Sequence, residues 1–491
     1  MKILISYPPI RGIQGTPLLG QNRQYQVFHH PTYIYPLVPA SAATLLARHG
    51  HQVIWNDCIA ERWNYDKFIQ FVKQEKPDII AIETKTPVVK QHWQIIRELK
   101  QLSTVNCQLL TILMGDHVTA LPQESMRNSP VDFVITGGDY DFSLLSITEY
   151  LDKGKPLCPG IYYRDGDSLK DSGKFQLNDN LDDLPLIDRD LTKWKLYGER
   201  LYKRAPFTYT MAGRDCPWAR CTFCSWTTLY PNFRVRSPQN LLEEIEILVG
   251  KYKVREIFDD TGTFPAGAWL NQFCEGMIKK GLPRKLRFSC NFRFDYLEPN
   301  RLKMMKQAGF RLFKLGLESA NDETLKRLNK ATTVRQIEQG CRLVKQAGLE
   351  VHLTIMVGYP WETKAQALKT VEMAMDLMKR DLADMLQATI VVPYPGTPLF
   401  EEAVQNNWFR FSPKEYERYD MREPALVTPD FPPEAVMGLT ERIYGSFLQP
   451  SFLLRYVSRI RSLSDAQYLF RGAQAVIGHL MDFRRQVHEQ R

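Results

Sequence analysis

The sequence predicts an α/β protein with two successive strand–helix units and a helical tail. Three observations carry that expectation. Short apolar runs alternate with amphipathic stretches over residues 1–150, the same alternation returns from 205 to about 400, and residues 401–491 lose the strand pattern. At 491 residues the chain exceeds one ordinary core, so two or three domains are expected.

The first unit begins with "KILISYP", an apolar run closed by a turn. "PASAATLLARHGHQVIWND" then reads as helix, Gly turn and strand, and "DKFIQFVKQEKPDIIAIETK" repeats the theme. "HWQIIRELKQL" is a third helix, "LLTILMGDH" a strand ending at Gly115, and "VDFVITGGDYDFSLLSITEYL" a strand, a Gly-Gly turn and a helix. Such alternation predicts a Rossmann-like parallel sheet with helices on both faces, whose ligands bind beyond the carboxyl ends of the strands.

Residues 151–204 differ. Asp-Gly and Ser-Gly punctuation marks a hairpin, and "LNDNLDDLPLIDRDL" reads as a polar linker. From 205 to 400, helix, Gly and strand recur every 30 to 40 residues, the period of a full or partial (β/α) barrel, where active sites sit at the carboxyl ends of the strands. In 401–491 aromatic and Arg residues interleave on helices. That composition suits a helical cap on the barrel, and also a peripheral contact with a membrane surface.

The net charge of +9 and pI near 8.9 favour anionic ligands. No Lys/Arg block is long enough to form a nucleic-acid-binding tail, so no nucleic-acid partner is expected. The amino terminus lacks the apolar core of a signal peptide, and no run of about 18 apolar residues suggests a membrane span. A cytoplasmic location follows as an expectation, extended by the tail to the inner face of the membrane.

Nine cysteines occur, six of them scattered. Cys216, Cys221 and Cys224 are instead packed into "GRDCPWARCTFCSW" with C-x4-C-x2-C spacing. Thiolates at this density suit zinc or an iron–sulfur cluster. A structural zinc site closes with four protein ligands, yet no other cysteine lies between Cys158 and Cys274, and His117 is the only histidine between residues 94 and 351. Three ligands leave one metal position open to a substrate or cofactor.

"CPWARCTFC" resembles the C-x3-C-x2-C motif of radical S-adenosylmethionine (SAM) enzymes, including the aromatic residue, Phe223, before the last cysteine. The resemblance implies a [4Fe–4S] cluster on Cys216, Cys221 and Cys224. It also implies SAM on the remaining iron and an electron donor such as flavodoxin or ferredoxin, and anaerobic radical chemistry. This chain has one more residue, within Pro217–Arg220, than the motif.

Later strand ends resemble the same family in order. Asp259, Asp260 and Thr261 resemble its second-strand turn near the SAM amino group, and Asn291 and Arg293 its polar third-strand position. Gly316, Glu318 and Ser319 resemble the "G-x-E-S" element that holds the ribose or amino group. Gly358, Pro360, Glu362 and Thr363 match "G-x-P-x-E-T" beside the adenine, and Pro393–Phe400 resembles the last-strand "P-x-P-G-T-P-L". Each alone reads as a cap or a turn.

Residues 1–150 resemble the cobalamin-binding domain of one radical SAM subfamily through "MGDHVTALPQE" and "VDFVITGGDYDFSLL". The resemblance implies corrin or nucleotide-tail contacts at Gly115, His117, Gly137 and Gly138. The subfamily's usual acidic pair after the glycines is not recognised, and no D-x-H-x-x-G loop is present, since Asp57 precedes Cys58, Ile59 and Ala60. "CTFCSW" with "FRVRSPQNLLEEI" looks like the branch associated with hopanoids and Mg-protoporphyrin ester cyclase.

The reading that results is a cobalamin-dependent C-methyltransferase acting on an unactivated carbon of a small-molecule or lipid-like substrate. Radical cyclisation or rearrangement of a hopanoid or tetrapyrrole without methyl transfer is the alternative within the class. A zinc- or cluster-bearing binding module is the alternative outside it, and that module leaves Glu318 and Glu362 unexplained. Cyclisation and methylation share every motif above, so the sequence does not separate them.

Overall fold

The computed structural model describes residues 1–12, 16–18, 26–28, 31–102, 108–198, 202–447, 450–458 and 460–489, and sorts the strands into two main sheets. In the first, β1 (Lys2–Tyr7), β2 (Gln52–Asp57), β3 (Ile79–Glu83), β4 (Leu110–Met114) and β5 (Phe133–Ile135) run parallel in the order β2-β1-β3-β4-β5. Every residue of β3 is buried, as its unbroken apolar run requires of a central parallel strand. Side-chain alternation splits β1 between two cores. Ile3 and Ile5 pack with helices Leu37–Arg48 and Tyr140–Lys153, whereas Leu4 packs with Tyr65–Glu75 and Val89–Lys100. The predicted hairpin, β6 (Ile161–Asp165) and β7 (Ser168–Asp171), continues this sheet antiparallel to β5.

The second sheet holds β8 (Phe207–Thr210), β9 (Glu256–Asp259), β10 (Arg287–Phe292), β11 (Phe310–Glu318), β12 (Glu350–Val357) and β13 (Met385–Ile390). All five pairings are parallel and in chain order, which gives a curled half-barrel. Helices return the chain between strands, and two start on capping boxes, Thr333 with Gln336 and Thr363 with Gln366. Thr363 is thus a helix cap.

The tail is helical from Pro433–Ser446 onward, and Val436, Ile443 and Tyr444 join the barrel core. The segment before it does something else. Phe411, Tyr416, Tyr419 and Met421 enter the core on one face of the first sheet. No described helix is long and apolar enough to cross a membrane.

Candidate functional site

Directly after β8 the chain enters the cysteine loop, at the carboxyl ends of the barrel strands. Cys216, Cys221 and Cys224 are half-buried, in no disulfide, and line one open cavity. Asn291 and Arg293 reach it from the end of β10, Lys314, Gly316 and Glu318 from β11, and Thr354 from β12. Residues 314 and 316 alternate onto one face of their strand, which brings both to the cavity. Phe223 and Thr263 complete the rim, and Thr263 Oγ1 lies 3.2 Å from the Cys216 sulfur. Among the described residues, no three His, Cys, Asp or Glu side chains converge as a single metal ion would require.

Electrostatics are organised around Glu318. The strand register shifts between Gly316 and Glu318, and Glu318 has φ +60°. This bulge aims its carboxylate into the cavity, where Lys330 Nζ donates to Oε1 at 2.8 Å. Burial opposes the Lys330 charge, but Glu318 and then Cys221 more than offset it, so the ammonium is held. Burial pushes the Cys221 thiol up, against the pull of Lys330 and Arg293. At Gly316 a Cβ would stand 2.0 Å from Glu318 Oε1 and 2.6 Å from Lys330 Nζ, so those two side-chain ends fill the space beside it.

Other predicted residues lie behind the cavity wall. Asp259, Asp260 and Thr261 are buried. Asp259 accepts from Thr210 Oγ1 at 2.8 Å, and Thr261 Oγ1 accepts from the Gly213 amide at 3.0 Å, which braces the base of the cysteine loop. Asn291 Nδ2 donates to Thr261 O at 2.9 Å and ties this brace to the cavity. Glu362 is fully buried and accepts from Ser319 Oγ at 2.6 Å and Asn321 Nδ2 at 3.0 Å, so the pair fixes the turn after Glu318. Burial raises the Glu362 carboxyl. Gly358, at φ +91°, faces Val436 of the tail.

The amino-terminal candidates meet other parts of the protein. A Cβ on Gly115 would lie 2.1 Å from Thr84 O, one on Gly137 would lie 2.8 Å from the Phe175 ring, and one on Gly138 would lie 2.1 Å from the Tyr230 ring. His117 is fully buried, with Nδ1 3.2 Å from Thr86 Oγ1 and its ring edge-on to Tyr416 at 4.6 Å.

Sequence reasoning missed Lys330, Trp218 and an interdomain clamp. Asp139 and Asp141 follow the glycines. Both grip Arg214, two residues before Cys216: Nη1 lies 2.8 Å from Asp139 Oδ1, and Nη2 lies 2.5 Å from Asp141 Oδ2. Arg234 donates to the same Asp139 oxygen at 2.6 Å. Tyr230, which follows the cysteines, donates to Gly138 O at 2.8 Å. From the other side, the Thr222 amide donates to Leu328 O and its carbonyl accepts from the Leu399 amide. Gly396 sits against Thr228 and Ala120. The Pro393–Phe400 element therefore holds the flank of the cysteine loop.

Comparison with known proteins bears on this arrangement. Residues 212–374 match the model of the radical SAM superfamily. An uncharacterised methyltransferase of Pyrococcus horikoshii is 27% identical over 93% of this chain and 94% of its own length. The anaerobic magnesium-protoporphyrin IX monomethyl ester cyclase of Cereibacter sphaeroides is 27% identical over 77% of this chain, which spans only 60% of that protein. Among solved structures, the radical S-adenosylmethionine methyltransferase TsrM of Kitasatospora setae, with cobalamin and a [4Fe–4S] cluster bound, superimposes with a TM-score of 0.67. It covers 100% of this chain and 99% of its own at 14% identity, a likeness of fold.

Proposed function

We propose that this radical SAM enzyme, whose superfamily domain spans residues 212–374, methylates an unactivated carbon of a small or lipid-like substrate with the help of cobalamin. One observation carries the reading. Three cysteines in no disulfide share an open cavity with Glu318 and Lys330, and among the described residues lining it no fourth cysteine and no histidine joins them.

The residues fit the groups this chemistry needs. Cys216, Cys221 and Cys224 would hold a [4Fe–4S] cluster, a soft-thiolate site left one ligand short. SAM would lie over the notch that Gly316 keeps open, with the Glu318 carboxylate free to accept from a ribose hydroxyl or an ammonium. A corrin would sit beyond the carboxyl ends of β1, β3 and β4, where the buried Tyr140 hydroxyl has no partner among the described residues. When bound, these groups supply reductive cleavage of SAM to a carbon radical that abstracts hydrogen, and a transferable methyl group.

The chain's own residues bind, orient and shield. Glu318 fixes the ligand's polar edge, and Lys330 balances the charge of that carboxylate. Phe223 and Phe292 line the cavity as apolar surface and exclude water from the reacting carbon. None of these side chains needs to act as a base, because an alkyl C–H is not acidic enough for one. An electron donor of the flavodoxin or ferredoxin type completes the proposal.

Anaerobic reconstitution tests it. The protein should take up about four irons per chain, lose them when all three cysteines become alanine, retain a corrin, and form 5′-deoxyadenosine on reduction with SAM. Methyl-labelled SAM offered with candidate lipids should label product. Zinc uptake in place of iron would overturn the reading, and 5′-deoxyadenosine without label transfer would favour cyclisation.

A further inference from the structure

The cysteine motif is one residue longer than the pattern it resembles, and the structure shows what the longer loop does. Ala219 takes φ +44°, a left-handed conformation unfavourable for any residue with a Cβ. The loop around it carries Trp218 to the 329–331 turn. There the Trp218 indole Nε1 donates to Asn329 O at 2.6 Å. The Trp218 ring lies 4.9 Å from the Arg293 guanidinium and 5.3 Å from that of Arg220.

The turn that receives Trp218 is unusual in the same way. Asn329 and Ala331 have φ +52° and +53° and flank Lys330. Two successive carbonyls of this turn are gripped, Asn329 O by Trp218 and Lys330 O by Arg293 Nη2 at 3.0 Å. The two gripping groups also stack on each other. Arg293 is itself fixed by Asp295, through Nε at 2.9 Å and Nη2 at 3.0 Å. A turn with two left-handed residues persists only if its surroundings impose it. The result of imposing it here is the placement of Lys330 against Glu318.

We propose that Trp218 is a positioning residue: it latches the 329–331 turn so that Lys330 stands opposite Glu318, and so sets the affinity for SAM without touching the cluster ligands. The inference rests on the reading that this cavity binds SAM.

The test uses the full chain, reconstituted anaerobically, in five forms: wild type, Trp218→Phe, Trp218→Ala, and Lys330→Met with and without Trp218→Ala. SAM binding is read by calorimetry, alongside iron per chain and the electron paramagnetic resonance of the reduced cluster with and without SAM. Iron content should stay at the wild-type value. Trp218→Phe, which keeps the ring and loses the N–H, should weaken SAM binding about fivefold, the worth of one net hydrogen bond. Trp218→Ala should weaken it about tenfold or more, and the SAM-induced spectral change should return at saturating SAM. In the Lys330→Met background Trp218→Ala should have little further effect, because the latch acts through Lys330. Unchanged affinity in Trp218→Ala, additive losses in the double variant, or loss of iron in Trp218→Ala would each overturn the latch. A wild type that takes up no iron or binds no SAM overturns the proposed function itself, which keeps the two failures apart.

Discussion

Asp141→Asn tests whether the amino-terminal domain holds the cysteine loop by charge. The side chains of Arg214, Asp139 and Asp141 are no more than 5% exposed, and Arg234 is 15% exposed. Two guanidinium groups face two carboxylates, so the cluster is neutral. Asparagine keeps the shape of Asp141 but leaves a net charge of +1 buried between the domains. Removing one partner of a buried pair costs about 3–5 kcal/mol. Arg214→Met leaves −1 and should cost a similar amount. The double variant leaves only the neutral Asp139–Arg234 pair, so it should recover about 2 kcal/mol or more relative to the sum of the single variants. Urea unfolding of the full chain, followed by fluorescence, gives the four midpoints of the cycle. A cost below about 1 kcal/mol for Asp141→Asn, or strict additivity, would refute the clamp.

Four further outcomes follow. The Asp139 carboxyl is depressed, since Arg214 and Arg234 overcome the burial that opposes its charge. Its contribution is therefore present above the ordinary carboxylate pKa and is lost as pH falls through the lower folded value, so wild type and Asp139→Asn should converge in stability in acid. Gly316→Ala should push Glu318 and Lys330 apart and weaken SAM binding at least about tenfold with iron retained, read by calorimetry. Gly138→Ala drives a Cβ into the Tyr230 ring and should cost about 1–3 kcal/mol in urea unfolding, relieved by Tyr230→Leu. Glu362→Ala leaves Ser319 and Asn321 without their acceptor and should cost about 1–3 kcal/mol, while Glu362→Gln, which keeps an acceptor oxygen, recovers most of it.

Local signals made much of this molecule legible. Strand–helix alternation predicted both sheets, because a buried parallel strand must be an apolar run and its return helix must be amphipathic. The cysteine spacing and the Gly316–Glu318 element led to the cavity for the same reason, as each is set by neighbours in sequence. Long-range pairings left no such trace. Asp139 and Asp141 meet an arginine 75 and 73 residues away, and nothing in "GGDYD" announces that partner. Lys330 lies 12 residues beyond Glu318, outside any strand period, and reaches it only because two left-handed residues turn it back. The glycines at 137 and 138 show a different limit. Sequence reports that a Cβ is unwelcome, but not what fills the space, and here Phe175 and Tyr230 fill it.

The cysteine loop is best regarded as belonging to both sheets. Its start is tied to the first sheet through Arg214 and to the second through the brace at Thr261, its end to the first through Tyr230, and its middle to the second through Thr222 and Trp218. A three-cysteine loop with few regular hydrogen bonds of its own cannot hold three sulfurs in fixed relation by propensity, so the geometry has to be imposed from outside. Imposing it from one domain alone would leave the loop free to follow that domain. Imposing it from both makes the cavity's shape a function of how the two domains dock. The charged clamp at Arg214 and the carbonyl latch at Asn329 lie on opposite sides of the same loop.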